Sequence, residues 1–187
     1  MRAIWPVAIV ATLALVGLGR FALAAAEVGQ AAPALVVQEL DGQTFDLSAL
    51  RGKVVIVHFW ATWCPPCRKE MPALDAFYRR HHGEGVEMIG LSADRPHDRA
   101  EVRKVMRSYR FPAAMLDDAE VDGFGKPNAL PVTLVIDGNG VVRASLTPEE
   151  TPLTEKALAD VVVPLLPRQA ASHSREDRGG SKPYANP

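Results

Sequence analysis

Apolar positions along the chain fall into two periodicities. Val54-Val55-Ile56-Val57-His58-Phe59 is apolar at every position but one, as a strand covered on both faces requires. Further on, Met71, Leu74, Phe77 and Tyr78 recur at helical spacing, and Arg79, Arg80, His81 and His82 load the end of that segment with the charge a helix dipole favours. Gly83 and Gly85 stop it, and Val86 to Ser92 reads as the next strand. Asp98 is placed to cap a helix running to about Tyr109. Phe111 to Leu116 is a short extended piece, followed by a polar linker with Asp117, Asp118 and Asp122 around a helical turn near Phe124-Gly125. Strand and helix alternating in this order predict a parallel sheet with crossover helices.

Hairpins bracket that unit. Asp41-Gly42 lies between two β-prone runs, with Ser48 to Gly52 as a helical turn behind them. Asp137-Gly138-Asn139-Gly140 joins two more, so antiparallel strands end the sheet; Pro131 stands where a strand begins and tolerates a proline. Thr151 to Leu166 supplies a last amphipathic helix, with Leu153, Leu158, Val161, Val162 and Leu165 on its apolar side.

The two ends differ from this middle. Residues 1–26 carry Arg2, an apolar run from Ala3 to Leu18, and the small-residue close Ala22-Leu23-Ala24-Ala25-Ala26. This is the pattern of a secretory signal peptide; the alternative is an uncleaved N-terminal anchor that tethers the protein to a membrane. Either one places the globular part outside the cytoplasm, in a periplasmic or equivalent compartment. Residues 168–187 are rich in Ser, Gly, Pro and charge and are expected to be disordered. The expected domain is 27–167, large enough to bury its own core.

Charge and cysteine content narrow the chemistry. A formal net charge of −1 gives no basic excess and argues against nucleic acid as a partner. There are 2 cysteines, too few for the disulfide scaffolding of small exported domains, so Cys64 and Cys67 read as a tool and not a brace. A bond between them closes too short a loop to stabilise much, and a zinc site needs ligands that His58, His81, His82, His97 and His173 are not spaced to complete. A Cys-x-x-Cys pair between a buried strand and a helix reads as a redox dithiol. Cys64 sits at the helix N-terminus, where free N–H groups and the dipole favour thiolate; Cys67, one turn in, is placed to attack a mixed disulfide formed by Cys64.

The stretches Phe59-Trp60-Ala61-Thr62-Trp63-Cys64-Pro65-Pro66-Cys67, Glu70-Met71-Pro72 and Leu130-Pro131-Val132-Thr133, taken together, resemble the TlpA/ResA-type group of exported thioredoxin-like proteins, a group related to the redoxin and AhpC/TSA proteins. The resemblance covers about Val28 to Leu166. It implies an α/β thioredoxin fold with an N-terminal β-hairpin and a central β-α insertion, a mixed sheet flanked by helices, and no cofactor beyond a Cys64–Cys67 disulfide. It also implies that Leu130-Pro131 is a cis peptide beside the dithiol, leaving nearby backbone free to pair with an extended substrate. Trp63, Pro65, Pro66 and Leu130 then border the substrate.

Two titratable residues stand near the pair. Glu70 is three residues beyond Cys67 on the same predicted helix; the resemblance implies a half-buried carboxylate that handles thiol protons, against the plainer reading of an exposed helix glutamate. His58 lies six residues before Cys64 in the apolar strand. It is either a packed, neutral, hydrogen-bonded histidine or a partner sharing a proton with Glu70.

The implied activity is a thiol-disulfide oxidoreductase that reduces disulfides in exported apoproteins, such as those awaiting haem in cytochrome c maturation or copper. A membrane thiol-transfer protein of the CcdA or DsbD type would keep it reduced. A peroxiredoxin-type thiol peroxidase is an alternative, although the usual proline upstream of the peroxidatic cysteine is missing from Ala61-Thr62-Trp63-Cys64. A copper(I)-binding module using both cysteines is another, since soft thiolates suit that ion.

Overall fold

The computed structural model describes residues 26–149 and 152–167. The expected leader and disordered tail fall outside those residues, apart from Ala26. Seven strands form one sheet: β1 (Leu35–Glu39), β2 (Thr44–Asp46), β3 (Val54–Trp60), β4 (Val86–Ser92), β5 (Ala113–Asp122), β6 (Val132–Ile136) and β7 (Val142–Leu146), in the spatial order β2-β1-β5-β4-β3-β6-β7. Helix α1 (Pro65–His81) joins β3 to its parallel neighbour β4, and α2 (Arg99–Met106) joins β4 to parallel β5. β6 pairs antiparallel with β3, and β7 antiparallel with β6. A third helix, α3 (Glu155–Val162), closes the described chain.

The apolar run Val54 to Trp60 becomes the sheet's third strand from one edge, and each of its residues is buried. Alternation along β3 divides the core. Val54, Ile56 and Trp60 point into a cluster that includes Met71, Leu74 and Phe77 of α1, Val102 and Met106 of α2, and Leu158 and Val162 of α3. Val55, Val57 and Phe59 point to the other face, with Leu35, Phe45, Leu47 and Ile89. Both cysteines belong to the helical side.

The N-terminal hairpin forms as expected: Val37 pairs with Phe45, and Gly42 takes φ +94, a conformation that costs glycine little. Three local readings are corrected. The supposed polar linker with Asp117, Asp118 and Asp122 is the outer half of β5, because β1 lies alongside it and Leu35 and Val36 register with Asp122 and Val121. Arg99 grips Asp118 with both nitrogens at 2.5 and 2.6 Å, so the acidic run tolerates a strand. No helical turn follows; Asp122 Oδ1 instead accepts the N–H groups of Phe124 and Gly125, each at 3.0 Å. Next, α2 starts after a 3-10 turn (Pro96–Asp98) and ends at Met106, and the Asp98 side chain does not cap it. Finally, α3 is shorter than its amphipathic pattern. Thr154 caps its start by accepting the Ala157 N–H, and Pro164, which has no N–H to give, falls in the 3-10 turn that ends it.

Candidate active site

β3 delivers the chain to the site, and α1 begins there. Cys64 is the N-cap residue of α1 and Pro65 and Pro66 fill its first two positions, where a missing N–H costs nothing. Cys64 Sγ accepts the backbone N–H of Cys67 at 3.3 Å, so the sulfur that caps the helix also sits at the positive end of its dipole. The two sulfurs are bonded at 2.01 Å, with Cα atoms 5.4 Å apart. Cys67 is fully buried, and Cys64 is 4% exposed. What exposure it has opens on a groove of about 580 Å³, bordered by Trp63, Pro65, Pro66 and Leu130. The Trp63 ring stands out from the surface at 66% exposure.

The Leu130–Pro131 peptide is cis. Leu130 borders the same groove as Cys64, and Pro131 is followed at once by β6, which pairs with β3.

Glu70 is 9% exposed. Burial, reinforced by the negative charge of Glu149, pushes its carboxyl up to about 7 from 4.5; the Leu153 N–H pulls weakly the other way. A carboxyl with this pKa exists in both protonation states near neutrality, as a proton carrier must. The native state therefore holds a proton that the unfolded chain has already lost between pH 4.5 and about 7, so Glu70 costs stability as pH rises through that window. Glu70→Gln is expected to melt with the wild type near pH 4 and to be more stable at pH 8, by on the order of 2 kcal/mol. Thermal melts at the two pH values check this.

His58 is completely buried on the face of β3 that carries Ile56 and Trp60. Its Nδ1 lies 2.8 Å from Thr133 Oγ1 on β6, and its Nε2 has no hydrogen-bond partner among the described residues. Neither nitrogen bonds to Glu70 there. Burial pushes the imidazole down to about 3, so it is neutral across the physiological range. The unfolded chain takes up this proton below 6.5 and the native state does not, so stability falls as pH drops from 6.5 towards 3. His58→Asn is expected to remove that acid-side slope while leaving the pH profile of thiol exchange near neutrality unchanged. A displaced exchange profile would favour the shared-proton reading.

One support of this site is not legible in the motif. Asp94, just beyond β4, is 1% exposed, and its carboxylate accepts the Thr62 N–H at 2.8 Å, the Thr62 hydroxyl at 2.6 Å and the Ser92 hydroxyl at 2.7 Å. These bonds tie the turn before Cys64 to the end of β4. Ser92-x-Asp94 at the close of a strand is the only trace of this in the sequence. Among the described residues, no group of three or more His, Cys, Asp or Glu side chains is arranged to hold a metal ion.

A sheet of this topology carrying a bonded Cys-x-x-Cys at the first turn of its first helix defines a thiol–disulfide exchanger of the thioredoxin fold. Comparison with known proteins agrees. Residues 28–145 match the model of the AhpC/TSA family. The chain is 35% identical over 127 residues to thiol-disulfide oxidoreductase ResA of Bacillus anthracis, covering 67% of this chain and 72% of that one. To the ResA of Geobacillus thermodenitrificans it is 34% identical over 124 residues, with 66% and 71% covered. A crystal structure of a thioredoxin-family thiol:disulfide interchange protein from Chlorobium tepidum TLS superposes with a TM-score of 0.61 at 26% identity, covering 76% of this chain and 99% of the other. The chain belongs to the AhpC/TSA family, within its TlpA/ResA-type group, and is a thiol-disulfide oxidoreductase.

Proposed function

We propose that the protein works outside the cytoplasm as a reductant of disulfides in exported apoproteins, including those that await haem or copper. The observation that carries this is Cys64 Sγ at the α1 N-terminus, opening on a groove, with Cys67 sealed beneath it. In the reduced protein the Cys64 thiolate attacks one sulfur of a client disulfide, and the client's S–S electron pair leaves on the other sulfur. Cys67 gives up its proton to the Glu70 carboxylate and attacks Cys64 Sγ, expelling the second client thiolate. The client disulfide has then gained the two electrons that the protein loses as its dithiol becomes the Cys64–Cys67 disulfide. Trp63, Pro65, Pro66 and Leu130 hold the client beside Cys64, with the cis bond to Pro131 setting the position of Leu130. No cofactor takes part. A membrane dithiol protein of the CcdA or DsbD type restores the reduced pair. The leader pattern of residues 1–26 supports export, with either cleavage or a retained tether, and 27–167 is the folded unit.

The test is single-turnover reduction of insulin by the pre-reduced intact chain, with hydrogen peroxide consumption measured in parallel. Release of insulin thiols in step with oxidation of the pair is expected. Fast peroxide turnover with insulin left intact would transfer the protein to the thiol peroxidases.

A further inference from the structure

Among the described residues, Lys126 is the one charged residue that borders the Cys64 groove, which is otherwise walled by Trp63, prolines, alanines, Asn128 and Leu130. Its ammonium lies 3.6 Å from the Asp117 carboxylate, and with side chains 58% and 40% exposed this is a loose surface pair that a better placed anion can replace. Further cations are exposed close by in the sequence. Arg95 is exposed two residues beyond the bordering Ala93, and Arg68 and Lys69 are exposed two and three residues beyond Pro66. The first turn of α1 holds no acidic residue.

Asp117 pairs with Lys126, and the acids near the site do not border the groove. Asp94 is buried and its oxygens are taken up by Thr62 and Ser92. Glu70 is buried, and the charge of Glu149 acts on Glu70; neither residue borders the groove. A client approaching Cys64 therefore meets a mainly apolar wall with the Lys126 ammonium at its border, held only by the loose Asp117 pair.

Resting on the reductase reading above, we infer that the groove selects client disulfides flanked by acidic residues, with Lys126 the residue that meets the client's carboxylate. Such complementarity acts mainly on the encounter rate and is screened by salt.

The test uses three probes with the pre-reduced intact chain: two peptide disulfide dimers identical except for Asp or Lys on either side of the cysteine, and neutral hydroxyethyl disulfide as the reference in each protein. At about 0.01 M salt the Asp dimer is expected to be reduced roughly tenfold faster than the Lys dimer, and at about 1 M salt the ratio should approach one. Lys126→Glu should reverse the preference at low salt, and Asp117→Asn should enlarge it. Equal rates for the two dimers at low salt, or a preference that Lys126→Glu leaves unmoved, would overturn the inference while the reductase reading stands. Failure to reduce hydroxyethyl disulfide as well as both dimers would overturn both.

Discussion

Cys64→Ser is expected to lower the rate of disulfide reduction by at least about 10³-fold while leaving the fold in place, because it removes the attacking sulfur and little else. Cys64 is the residue with both the helix N-terminus at its sulfur and an opening to the groove. Cys67 has no such opening. Cys67→Ser should therefore still attack but not resolve, and a mixed disulfide between Cys64 and the client should accumulate. Non-reducing electrophoresis with mass spectrometry reads both outcomes. The reverse pattern, trapping by Cys64→Ser and an inert Cys67→Ser, would exchange the two roles.

Asp94→Ala should be the most damaging polar substitution near the site. The buried carboxylate accepts from the Thr62 N–H, the Thr62 hydroxyl and the Ser92 hydroxyl, and alanine removes the charged acceptor of all three. A loss of about 3 kcal/mol follows, which in a domain of this size lowers Tm by roughly 10 °C. Because Thr62 is two residues from Cys64, the turn loosens too, so the reduction rate should fall at temperatures where the variant is still folded. Asp94→Asn keeps one acceptor oxygen and should lose less of both. Calorimetry and single-turnover kinetics on the two variants separate stability from positioning.

Both predictions draw on features that differ in how plainly the sequence shows them. α1 and both hairpins are legible because each satisfies its backbone within a few residues; the buried strand, which pairs with the distant β4 and β6, is legible because its nearly unbroken apolar run signals cover on both faces. The outer half of β5 is not, because its hydrogen bonds come from β1, more than seventy residues earlier, and Asp118 is held by Arg99 of α2, with Asp117 loosely paired to Lys126. α3 is overestimated for the converse reason: its apolar pattern runs on past Pro164, but the hydrogen-bond ladder cannot. At the site, local geometry puts Cys64 and Cys67 in view, and the family resemblance leads to the cis bond at Leu130–Pro131. Asp94 and Thr133 stay hidden because what they do depends on β4 and β6 lying on either side of β3. Lys126 is hidden in a loop that has no pattern of its own.

The direction of electron flow is the centre of this account, and the equilibrium reduction potential of the Cys64–Cys67 pair against glutathione tests it most directly. A value near the ~−270 mV of thioredoxin is predicted, since a reductant must hold its electrons at a potential low enough to pass them to client disulfides. A value near the ~−120 mV of DsbA would contradict it and make the protein an oxidant that keeps the same fold and the same pair.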